Sequence, residues 1–63
     1  MGYKLEEVRK RIGLTQTQLS EKSGVSRTII SGLESGRIIV TTTGTLKKLA
    51  NALGVKVGDI FLA

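Results

Sequence analysis

Residues 13–37 read GLTQTQLSEKSGVSRTIISGLESGR, and this stretch decides the fold. Thr15 is a helix N-cap, and Gln18 three residues on completes a capping-box pattern. Helix 2 therefore runs from Gln16 to Ser23 with Leu19 inward, and Ser20 is small enough for a close helix crossing. Gly24 ends it, because a tight turn there needs the left-handed conformation that glycine adopts without a steric penalty. Ser26 caps the next helix. Helix 3 runs from Arg27 to Ser35 and points Ile30 and Leu33 inward at i, i+3, until Gly36 stops it. Gly32 inside it costs roughly 1 kcal/mol relative to Ala, so tertiary packing must hold this helix. Two short helices joined by a few residues, with Val25, Ile30 and Leu33 closing the inner side, have the spacing of a helix-turn-helix spanning about residues 16–35.

Working outward, Leu5, Val8 and Ile12 fall at i, i+3, i+7 on one helical face. Glu6 and Glu7 come early and Lys10 and Arg11 late, which suits the helix dipole. Helix 1 is expected over residues 3–12, with Gly13 as its stop. After Arg37 the run IIVTTT (38–43) is β-branched throughout and suits an extended connection. Thr42 caps helix 4, whose Leu46, Leu49, Ala50 and Leu53 make an amphipathic stripe ending at Gly54. Val55, Val57, Ile60 and Phe61 form a last apolar cluster on one short turn starting at Gly58. The 63 residues make one domain with one aliphatic core, since there is one Tyr, one Phe and no Trp.

Composition excludes several functions. With no Cys and no His there is no disulfide, no thiolate metal site and no imidazole base. No metal or cofactor is expected, and no small-molecule ligand is evident. Glu6 and Glu7 are adjacent and do not face each other on a helix, so they are no catalytic dyad. GVSRTIISG lacks the Lys-Ser/Thr ending of a phosphate-binding loop. The chain is read as a non-enzyme. No apolar run reaches membrane-span length, and the charged start MGYKLEEVRKRI has no signal-peptide core, so no membrane association and a cytoplasmic location are expected. Ten Lys and Arg against five Asp and Glu give a net charge of +5, a balance that favours a polyanionic partner.

The lead-in VRKRIGLTQ, the turn GVSRTIISGLESG and the tail TLKKLANALGV followed by DIF together resemble the lambda-repressor-like, Cro/CI-type regulators known as the XRE family. The resemblance covers nearly the whole chain. It implies a compact all-α, five-helix domain whose helices 2 and 3 read double-stranded DNA, with one helix across the backbone and the other in the major groove. By the same resemblance Gln16 contacts a phosphate and braces helix 3, with Thr17 beside it. Arg27 and Thr28 form the base-reading start of helix 3, and Ser26, its cap, is counted among the DNA-binding residues. Gly32 falls at a third base-reading position, where the missing side chain loses readout or reduces it to close approach, with Ser31 as the substitute. Arg37 follows the helix stop and lies near phosphate. Arg9 pairs with Glu34 as a structural ion pair. The connection after Arg37 departs from the family's polar, Pro-containing loop.

A transcriptional regulator, a repressor or Cro-like protein of a bacterium or phage, is the leading function, acting as a homodimer on DNA. Its candidate contact surface is Val57, Ile60 and Phe61, with Ile38–Val40 nearby. An antitoxin, a restriction-modification controller and a protein-interaction module reusing the fold are the alternatives. Arg27, Thr28 and the basic balance favour DNA; the bare Gly32 and the apolar IIV run favour protein interaction.

Overall fold

The computed structural model describes residues 2–62. Five helices follow one another: α1 Leu5–Ile12, α2 Gln16–Ser23, α3 Arg27–Ser35, α4 Thr43–Leu53 and α5 Val57–Ile60. The caps explain the boundaries. The Thr15 hydroxyl accepts from the Gln18 N–H at 3.0 Å, and the Gln18 side chain accepts from the Thr15 N–H at 2.8 Å. Ser26 and Thr42 hydroxyls accept from Ile29 and Thr45 N–H groups in the same way. Each pairing satisfies donors that the first helical turn leaves without a partner. At Gly24 the chain reaches φ 77°, which lets α3 start immediately after α2.

One core joins all five helices. Leu5, Val8, Leu19, Val25, Ile30, Leu33, Leu46, Leu49, Ala50, Leu53 and Ile60 are buried together. The aliphatic spacing on α3 and α4 supplies most of this interior, as the helical period requires.

Three expectations need correction. Helix 1 begins at Leu5 rather than at residue 3, because Tyr3 belongs to a two-residue strand. That strand, β1 (Gly2–Tyr3), pairs antiparallel with β2 (Phe61–Leu62), Tyr3 opposite Phe61. The Lys4 N–H continues the link by donating to the Ile60 carbonyl at 2.8 Å. The Tyr3 and Phe61 rings stand 5.4 Å apart in a tilted arrangement, a favourable geometry for two ring quadrupoles. Pairing of residues about sixty apart leaves no local signature in either dipeptide. The second correction is Ile12, which is 44% exposed although it completes the Leu5/Val8 stripe. It lies in the last turn of α1, next to Gly13, where the chain turns away. The interior position on that side is taken by Arg9. The short turn expected from Gly58 starts one residue earlier, at Val57. It is held by the Asp59 carboxylate accepting from the Lys56 N–H at 3.0 Å.

Candidate nucleic-acid interface

The capping of α2 and α3 places their first turns close together on one side of the molecule. Gln16 at the start of α2, Arg27, Thr28 and Ser31 on α3, and Arg37 beyond the α3 stop line one shallow hollow of about 270 Å³. Five of the residues singled out in the sequence thus converge. The hollow is polar, and its lining contains two guanidinium groups and no carboxylate. Among the described residues no acidic side chain pairs with Arg27 or Arg37. The bases of α1 are different: Lys10 and Arg11 lie 3.4 and 3.3 Å from Glu6 and Glu7. Positive charge is therefore left unneutralised in the hollow and partly neutralised on α1. Thr17 is exposed on α2 outside the lining. Ser26 is exposed as well, with its hydroxyl engaged as the α3 cap.

Gly32 does not share this face. It is buried, and a Cβ added there would come within 2.6 Å of Ile38 Cγ1. The Ile38 N–H also donates to the Gly32 carbonyl at 2.9 Å. The expectation of a close approach to DNA at Gly32 is corrected accordingly. Glycine is used here so that the connection after α3 can fold back onto the helix, and Ile38 fills the space a side chain would have taken.

Beneath the hollow lies a charged network. Arg9 donates from Nε to Glu34 Oε2 at 2.7 Å and from Nη2 to Oε1 at 3.0 Å, a bidentate pair. Its Nη1 donates to the Leu14 carbonyl at 2.7 Å. Gln16 Nε2 donates to the same Glu34 at 2.9 Å. The side chains of Arg9 and Glu34 are only 9% and 3% exposed. The hydrogen bond to Glu34 holds the Arg9 guanidinium above its ordinary pKa, against the opposing effect of burial. The Glu34 carboxylate ties α1, the start of α2 and the end of α3 together, and the Arg9 guanidinium adds the α1–α2 turn. Because Gln16 also lines the hollow, the network fixes a surface side chain from below. The Leu14 carbonyl was not foreseen as a partner, since a backbone acceptor has no residue-type signal.

A family model described as helix-turn-helix matches residues 5–60, which is nearly the whole chain and includes every element of the network and the hollow. The chain belongs to the XRE family of helix-turn-helix transcriptional regulators. Over 60 residues it is 37% identical to the immunity repressor protein of Bacillus phage phi105, an alignment covering 95% of this chain and 41% of the relative. It is 43% identical over 54 residues to the HTH-type transcriptional repressor RghR of Bacillus subtilis, covering 86% of this chain and 40% of that protein. It is also 41% identical over 59 residues to an HTH-type transcriptional regulator of Methanothermobacter thermautotrophicus, covering 92% and 84%. The chain therefore spans about two-fifths of the length of the two named repressors and most of the third relative. For this XRE-family domain, the all-helical class agrees with the family assignment. No helix among the described residues is long and apolar enough to cross a membrane.

Proposed function

We propose that the domain binds double-stranded DNA sequence-specifically and acts as a transcriptional repressor, with α3 in the major groove. The observation that carries this is the convergence of two unpaired arginines with Gln16, Thr28 and Ser31 in one carboxylate-free hollow at the start of α3. The names of the phage and Bacillus relatives support the repressor role, and a cytoplasmic location follows from it.

The roles divide by position. Arg27 lies in the first turn of α3, where a planar guanidinium can bond bidentately to guanine O6 and N7. Thr28 meets a thymine methyl or donates one hydrogen bond, and Ser31 one turn on replaces the readout that Gly32 lacks. Gln16, steadied by Glu34, and Arg37, just past the α3 stop, hold phosphates. Thr17 and the Ser26 backbone flank the same strand. A single short helix contacts few base pairs, so selectivity calls for two copies on half-sites about 34 Å apart, one helical turn.

Selection of bound sequences from a random duplex library, with the wild type, Arg27→Ala and Arg37→Ala, tests the division. Arg27→Ala relaxes the preference at one base position, where the lost pairing is worth roughly 1–3 kcal/mol of discrimination. Arg37→Ala weakens all sequences alike and lowers the slope of log K against log salt by about 0.9. An unchanged motif with Arg27→Ala makes Arg27 a phosphate clamp and removes the readout assignment.

A further inference from the structure

One row of side chains on α3 lacks a member. Residues four apart stand one above the other on a helix. The row that starts at Thr28 in the hollow therefore continues at Gly32, about 6 Å further along the axis. Gly32 has no side chain to present there. Cγ1 and Cδ1 of Ile38 occupy the place instead, where a Cβ on residue 32 would stand. This seat is fixed at two points. The Ile38 N–H donates to the Gly32 carbonyl at 2.9 Å, and the Tyr3 hydroxyl donates to the carbonyl of the next residue, Ile39, at 3.2 Å. Ile38 packs against the core yet is only half-buried, so part of an aliphatic side chain is left at the surface on the row of Thr28.

We infer that Ile38 is a specificity-determining residue, an apolar group that the α3–α4 connection places one helical turn past Thr28 to meet a thymine methyl. The inference rests on the reading that α3 enters the major groove. The thymine methyl is the one apolar group on the major-groove edges of the bases; the others are hydrogen-bond donors and acceptors. Ile38 has no polar side-chain atom, and its N–H is engaged by Gly32, so it has nothing to offer a phosphate. Placed over any other base it would take water from a donor or acceptor without replacing the lost hydrogen bond. The β-branched side chain is stiff at χ1 and its backbone is tied on both sides, so little ordering is left to be done on binding. Ser31 serves the hollow side of the row. Ile38 serves the opposite side, where it borders a groove of about 500 Å³ shared with Tyr3 and Phe61.

This revises the apolar contact surface expected from the sequence. Ile60 is fully buried and Val57 is half-buried, so α5 does not present them together. Ile38, from the neighbouring 38–40 run, rests on α3.

In the experiment, the duplex selected by the wild type is remade with deoxyuridine in place of each thymidine in turn, an exchange that removes only the 5-methyl group. Kd is measured for the wild type, Ile38→Val, Ile38→Ala and Thr28→Ala. One thymine should respond, within about two base steps of roughly 3.4 Å from the position that Thr28→Ala alters. There the wild type should lose about fourfold on deoxyuridine, the effect of about one buried methyl. That loss should shrink in Ile38→Val, vanish in Ile38→Ala and persist in Thr28→Ala. Ile38→Val keeps the β-branch and both backbone hydrogen bonds, so it decides the question if circular dichroism shows that Ile38→Ala does not fold. A purely structural Ile38 would weaken every duplex by one factor and leave the deoxyuridine pattern unchanged, which overturns the assignment. A wild type indifferent to every exchange, or a sensitivity that disappears in Thr28→Ala, overturns it as well. If the wild type selects no motif at all, the DNA-reading role of α3 fails first and this inference fails with it.

Discussion

The two halves of α3 do opposite work. Its first turn offers the exposed polar side chains of Arg27 and Thr28 to the hollow, and is held by the Ser26 cap and by Ile29, which is partly buried against the core. Its second half is held on three sides: Ile30 and Leu33 in the core, Gly32 beneath Ile38, and Glu34 in the Arg9 network. A nine-residue helix containing a glycine has little stability of its own. Fixing one half and freeing the other lets the helix present side chains rigidly without spending those side chains on folding. Substitutions in the second half should therefore change stability, and substitutions in the first should change recognition.

The largest effect tested on that division is at Glu34. Glu34→Ala leaves the Arg9 guanidinium shielded from water with the Leu14 carbonyl and, at 4.0 Å, the half-exposed Glu6 carboxylate, and should cost about 3 kcal/mol, towards the range for breaking one side of a buried pair. Urea melts of Arg9→Ala, Glu34→Ala and the double variant measure the coupling. A coupling indistinguishable from zero would reject the network as the anchor of the helix end.

Gly32 gives an intermediate effect. Gly32→Val drives a branched side chain into Ile38 and should cost about 1–3 kcal/mol, the usual range for overpacking. Truncating the neighbour separates crowding from helix propensity: Gly32→Val/Ile38→Ala should recover part of the loss. If the double variant is no more stable than the sum of the two single changes, Ile38 is not what the glycine accommodates.

Arg27 marks the small end. Arg27→Ala should shift stability by no more than about 0.5 kcal/mol, as exposed substitutions generally do, while altering the selected DNA motif. A larger loss of stability in the same urea melts would mean that the first turn is also structural, and the contrast between the two halves would disappear.

The sequence by itself determined four of the five helices to within two residues at each end. Their limits are set by local chemistry: Thr15, Ser26 and Thr42 bond groups three residues away, and Gly13, Gly24, Gly36 and Gly54 reach the left-handed conformation at the stops. The positions lining the hollow were legible through the family resemblance, which falls on the capped first turns for Gln16, Arg27 and Thr28, one turn into α3 for Ser31 and just past its stop for Arg37. What the tertiary structure alone decided involves partners far apart in the chain. Tyr3 pairs with Phe61, Ile38 covers Gly32, and Ile12 yields the interior to Arg9. Gly32 shows the physical reason most directly. The helical period places it on one face of α3, but whether that face meets solvent, DNA or protein depends on where the connection after Arg37 folds, and its β-branched residues favour an extended backbone without specifying what it packs against. Caps and periodicity are enforced within four residues of each other, whereas the covering of a face is settled by packing between segments that the sequence does not bring together.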